Sequence, residues 1–212
     1  KFKAAKKAGD EVICILIASK LSGTYQGAML AKQIVDYDGI HVIDAGHAAA
    51  SVAEKMLVIA ACRMRDQGCT AEEIARRLEQ LRGSVRLIAC LDTLEYLARG
   101  GRLPAAVASI GTKLQLKPII VFGENGEIQV VKKCMGSKRA MRDMTEMVTE
   151  CGINPEYPVI PIFAQNDRNC QEYVASLKNA GCVGAMQVPQ GIGATIGSYI
   201  GPGGYGIVFV EK

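Results

Sequence analysis

Tryptophan is missing from the 212-residue chain, histidine occurs twice, and aromatic residues make up 5% of it. With only His41 and His47, and eight cysteines that form no C-x-x-C pair, no zinc-ligand spacing exists. Cys14 and Cys90 lie inside apolar, strand-like runs, so buried, reduced thiols of a cytoplasmic protein are expected, with no metal and no cofactor. No apolar run approaches the roughly 20 residues of a membrane-spanning helix, and no signal peptide opens the chain. The net charge is +4, but lysine and arginine are dispersed and no basic patch interleaved with aromatics appears, which argues against nucleic acid as a partner. Walker-type and G-x-S-x-G sequences are absent, and residues 191–197 lack both the spacing and the strand–helix setting of a dinucleotide fingerprint.

What is present is 49% hydrophobic and 22% charged, enough core for one large domain or two small ones. Residues 1–10 read as the tail of a helix stopped by Gly9; with no initiator Met, this points to a fragment lacking an N-terminal piece. Residues 11–17 are nearly all apolar and read as a strand buried on both faces of a sheet. Helical spacing then runs from Thr24 to Val35, a short strand covers 41–44, and a long helix covers 48–67. Thr70 and Glu73 form a capping box for a helix reaching Leu81. Strand, helix, strand, helix is the rhythm of a parallel α/β sheet.

The rhythm changes near 82–84. A strand at 85–91 leads to a short helix, the break Gly100-Gly101-Arg102, and a helix over 105–114. Strands at 117–122 and 127–133 flank Asn125-Gly126, a hairpin signal. A helix over 137–151 and a strand over 159–164 follow, the strand carrying Pro161, which favours an edge or bulge. A helix from 166 or 167 to 178, a strand over 183–188, a Gly-rich turn or short helix over 191–199 and a strand at 205–210 complete the chain. The expected fold is α/β with two domains: a parallel α/β part over 1–83, and an α+β domain with a β-hairpin over 84–212.

Three constellations carry chemistry. Ser22-Gly23-Thr24 stands where a strand becomes a helix: Ser22 or Thr24 can cap the first turn, Gly23 permits a tight turn or close backbone approach, and the helix end suits a carboxylate or phosphate. Ser22 is also readable as an N-cap and nothing more. Arg102 is either an anion- or partner-binding guanidinium or the residue after a plain glycine C-cap. Residues 198–204 concentrate glycine before a core strand, as a ligand-approaching loop or a tight connection. A Ser22 hydrolase or acyl transferase with His47 as base is the enzymatic alternative, and Asp44 is either catalytic or an N-cap.

Four segments, in order, resemble the DegV family: Ser19-Lys20-Leu21-Ser22-Gly23-Thr24-Tyr25-Gln26; residues 92–102, from Asp92-Thr93-Leu94-Glu95 to Gly100-Gly101-Arg102; residues 111–119, from Gly111-Thr112-Lys113-Leu114; and Gly201-Pro202-Gly203. The resemblance implies a two-domain protein holding a long-chain fatty acid between its domains, without catalysis of its own. It implies that Ser22, Gly23 and Thr24 meet the carboxylate, with Tyr199 and Arg102 nearby, and that a separate ATP-binding fatty acid kinase subunit performs acyl phosphorylation. A membrane-surface contact for lipid exchange belongs to the same expectation. Tyr199 stands where members that serve the kinase usually carry His, replacing a group that charges near neutral pH by a neutral donor.

Overall fold

The computed structural model describes residues 1–103, 115–182 and 184–212. The expected helix over 105–114, the motif residues Gly111 to Leu114 and the first residue of the expected strand over 183–188 lie outside the described residues.

Helix α1 (Phe2–Ala8) ends on Gly9 in the left-handed conformation, φ 75°. Strand β1 (Val12–Leu16), helix α2 (Thr24–Val35) and strand β2 (Ile40–Asp44) follow, then a 3₁₀ turn (Gly46–Ala48). Helices α3 (Val52–Asp66) and α4 (Ala71–Leu81) come next, α4 entered through the Thr70–Glu73 capping box. The chain continues with β3 (Val85–Cys90), α5 (Glu95–Arg99), β4 (Leu116–Phe122), β5 (Ile128–Met135) and α6 (Ser137–Cys151). It closes with β6 (Pro158–Phe163), α7 (Arg168–Asn179), β7 (Ala185–Met186), β8 (Gln190–Gly191), α8 (Ala194–Ile200) and β9 (Tyr205–Val210).

Strands β1 and β2 are parallel and in register from Val12↔Ile40 to Leu16↔Asp44. The second sheet has the order β5-β4-β3-β9-β6-β7, with β8 also on β6. Its pairs are antiparallel except β6–β7 and β6–β8. The mixed α/β architecture with a β4–β5 hairpin is the fold class that the sequence pattern indicates. At the hairpin tip Gly126 N–H donates to Gly123 O (2.8 Å), Gly123 N–H donates to Glu127 O (2.9 Å), and Gly126 takes φ 81°.

The period-2 alternation of the central strands sorts their side chains into two cores. Leu87, Ala89, Val208 and Val210 face Ile43, Ala53, Leu57 and Leu78 from the first third of the chain. Ile88, Cys90, Ile207 and Phe209 face Met144 of α6 and Tyr173 of α7. The first core therefore joins residues from both sides of Ser84, and every residue of β9 is buried.

Two local expectations are corrected. All five residues of β1 are half-buried, because β2 is its hydrogen-bonded partner in a two-stranded sheet with a cleft of about 640 Å³ along its side. Likewise α2 has no buried residue, and Ile34 is 68% exposed. Pro161 sits inside the sheet between β9 and the β7/β8 side, where proline's missing N–H would normally break a ladder. It is accommodated because the neighbour on that side is interrupted: β7 pairs with Pro158 and Val159, β8 with Ile162 and Phe163.

Candidate functional site

Past Leu16 the chain turns so that Leu21 and Ser22 N–H groups both donate to Ala18 O (2.9 and 3.2 Å). Ser22 Oγ then lies 2.8 Å from Thr24 Oγ1 and accepts from the Thr24 N–H at 3.3 Å. The N-cap position of α2 belongs to Gly23, which has no side chain to offer, so Ser22 serves the first turn from one residue outside it, through the Thr24 N–H. Gly23 has φ −70° and open space where a Cβ would stand, so the turn does not require glycine there. Ser22 is half-buried and Gly23 and Thr24 are exposed: two hydroxyls and the first-turn N–H groups share one accessible edge.

Arg102 reaches this turn from 81 residues away, its Nε donating to Leu21 O at 3.2 Å. Its position follows from how α5 ends. Gly101 N–H donates to Ala98 O and Arg102 N–H to Leu97 O, both at 3.1 Å, the paired bonds of a Schellman stop. Gly101 supplies the left-handed residue that such a stop needs, φ 68°. Gly100 has an ordinary φ of −74° but no room for a Cβ, which would run into the ring of Tyr199. The two glycines therefore do different jobs, one conformational and one steric.

Tyr199, on α8, completes the cluster. The Arg102 guanidinium carbon lies 5.0 Å from its ring centroid, and Arg102 Nη1 donates to Gly100 O at 2.7 Å. The packing is reciprocal, since Tyr96 of α5 occupies the space where Gly201 would carry a Cβ. Ser22, Arg102 and Tyr199 thus belong to one connected surface. A cavity of about 300 Å³ opens between the end of β1 and α8, lined by Ile17, Ala50, Ser51 and Glu54 on one side and Gly193 to Ile196 on the other. Burial pushes the Glu54 carboxyl above its usual range, against a backbone hydrogen bond from Ser51. Nothing in the sequence around Glu54 signalled that it lines this cavity. Neither this cavity nor the larger cleft along β1 is lined by Ser22, Arg102 or Tyr199.

His47 does not join Ser22. Its Nδ1 is 3.1 Å from Gly83 O and 3.1 Å from Arg86 Nη1, and Arg86 in turn pairs with Glu211. Asp44 accepts the N–H groups of Ser19 (3.1 Å) and Gly46 (3.0 Å) on one oxygen, a link between two turns that neither the catalytic nor the N-cap alternative for Asp44 contained. The cysteines are all unpaired; Cys90, Cys134, Cys170 and Cys182 are buried, whereas Cys62 is exposed, contrary to uniform burial. Burial pushes the Cys90 thiol up to about 12 and the Cys170 thiol up to about 12. No group of His, Cys, Asp and Glu among the described residues is arranged to hold a metal ion, and no described helix is long and apolar enough to cross a membrane.

Known proteins resemble the chain along its whole length. A DegV domain-containing protein of Caldanaerobacter subterraneus subsp. tengcongensis is 36% identical across 100% of this chain and 74% of its own length. The solved structure of a fatty-acid-binding DegV family protein from Thermus thermophilus is 28% identical, with a TM-score of 0.84, covering 100% of this chain and 76% of that one. DegV, a fatty acid binding protein from Bacillus subtilis, is 27% identical over the same shares with a TM-score of 0.77. The family profile described as "Uncharacterised protein, DegV family" matches residues 1–212. The chain belongs to the DegV family.

Proposed function

We propose that this protein is a cytoplasmic carrier of a long-chain fatty acid rather than an enzyme, holding the acid between a 1–83 part and an 84–212 part. The carboxylate rests at Ser22-Gly23-Thr24, where hydroxyls and helix N–H groups donate to its oxygens. Arg102 and the neutral donor Tyr199 stand beside it. The observation that carries this reading is the Arg102 bridge, which ties the Ser22 turn to α5 and α8 through Leu21 O, Gly100 O and the Tyr199 ring. The aliphatic tail supplies most of the affinity, at about 0.8 kcal/mol per buried methylene, and the apolar residues Ile17, Ala50, Ala194 and Ile196 of the cavity between β1 and α8 suit it. The relatives from Thermus thermophilus and Bacillus subtilis, named for fatty acid binding, support the same ligand class. The reading extends to a partner: a separate ATP-binding kinase subunit phosphorylates the acyl carboxylate at the exposed Gly101–Arg102 corner, and the acid exchanges at a membrane surface.

Native mass spectrometry of the purified protein, followed by denaturing extraction, tests the carrier reading. A released long-chain fatty acid is expected, with weaker retention in Ser22→Ala. A protein that emerges empty and shows no saturable titration with oleic acid overturns it.

A further inference from the structure

We infer that Asp44 is a positioning residue for the Ser22 turn, acting on a bound carboxylate only by fixing where that turn begins. The inference rests on the carrier reading above. It starts from register: parallel pairing of Leu16 with Asp44 brings the carboxyl ends of β1 and β2 level, so both strands release their chains at the same height. Loops leaving that edge of a parallel sheet are where ligands meet an α/β fold. There Asp44 Oδ1 receives two backbone donors, Ser19 N–H at 3.1 Å and Gly46 N–H at 3.0 Å. Ser19 opens the turn that ends in Ser22, and Gly46 opens the 3₁₀ turn after β2. One oxygen therefore spans two turns, and Ser19 reaches it from 25 residues away along the chain.

Asp44 is itself held in place. Arg82 Nη1 donates to its backbone carbonyl at 2.9 Å, and Ala45 N–H donates to Leu16 O at 2.9 Å across the same pair of strands. Farther along, Ala18 N–H donates to Ala49 O at 2.8 Å, so the two turns are laced on either side of the carboxylate. The β4–β5 hairpin tip rests on the same place: a Cβ at Gly126 would strike Ala18, and one at Gly46 would meet Glu124 O at 3.0 Å. The Ser22 turn has a second anchor at its other end, Arg102 on Leu21 O. Without Asp44 the turn keeps the Ala18–Ala49 bond and the Arg102 anchor but loses its hold at Ser19, which loosens the distance from Ser22 to Arg102 and Tyr199. What Asp44 supplies is an acceptor, so an amide oxygen at the same reach does the same work and its charge is dispensable.

Asp44→Ala, Asp44→Asn and a core control, Met144→Ala on the far side of the large sheet, are compared in the full chain. Two readouts are taken: the dissociation constant of cis-parinaric acid and the hydrogen-exchange rate of the Ser19 amide. Asp44→Ala is expected to weaken binding and to speed Ser19 exchange by about tenfold each, the scale of a lost hydrogen bond. Asp44→Asn restores both, and Met144→Ala, though destabilised, binds the acid as the unmodified chain does. If Asp44→Ala fails to fold, Asp44→Ser, whose hydroxyl is too short to span both turns, takes its place. Unchanged binding and exchange in Asp44→Ala, or an Asp44→Asn variant as impaired as alanine, overturns the inference. An unmodified chain that binds no acid defeats the carrier reading instead, while Ser19 exchange still decides the role of Asp44.

Discussion

A methyl group added at Gly100 points into the ring of Tyr199, whose Cδ1 and Cε1 are the first atoms that it meets. The ring has little room to retreat, because the Arg102 guanidinium lies 5.0 Å from its centroid on a side chain tethered to Leu21 O and Gly100 O. Overpacking of this kind costs about 1–3 kcal/mol. Opposing it, Gly100 already has helical angles, φ −74° and ψ −7°, and replacing such a glycine by alanine gains about 0.4–1 kcal/mol through the unfolded chain. Gly100→Ala should therefore lose about 1–2 kcal/mol on balance. In a Tyr199→Ala background the obstruction is gone, and the same change should be neutral or stabilising. Urea unfolding of the two single variants and the double variant closes the cycle, and a coupling of about 1–3 kcal/mol is expected. A Gly100→Ala variant that is harmless beside Tyr199, or that costs the same with and without the ring, refutes the steric clash. The fatty acid titration on the same proteins then reports whether the α5–α8 contact governs binding as well as stability.

Asp143 offers a pH test. Burial works to raise its carboxyl, but hydrogen bonds from Arg139 and the Cys134 thiol outweigh it and hold the group below its usual range. A carboxyl depressed in the folded state contributes stability above its unfolded value, about 3.9; that contribution fades as pH falls further. Asp143→Asn should therefore destabilise the protein at neutral pH and flatten the acid limb of its unfolding midpoint below about pH 4; an unchanged acid limb would count against the linkage. Thiol alkylation at pH 8 should modify the exposed Cys62 first and leave Cys90 and Cys170, with thiols pushed to about 12, untouched until urea unfolds the chain. Mass mapping that finds Cys90 labelled alongside Cys62 would contradict the buried, protonated state.

Local chemistry alone determined much of the framework. The Thr70–Glu73 capping box, the left-handed Gly9 stop, the Asn125-Gly126 hairpin and the fully buried final strand are legible because each depends on residues within a turn or an alternation of each other. The four motif segments were equally legible as a family signature. Tertiary structure decided what those segments do to one another. That Gly100 makes room for a tyrosine 99 residues later, that Pro161 faces an interrupted neighbour, and that Asp44 clasps the start of the Ser22 turn are facts of chain crossing. So is the half-burial of β1, since an apolar run reports how much a strand could bury and not how many neighbours it has. Helix caps and alternation act over a few residues and leave their mark in the sequence, whereas Arg102 meets Leu21 only because the core between Leu57, Leu87 and Val208 has closed.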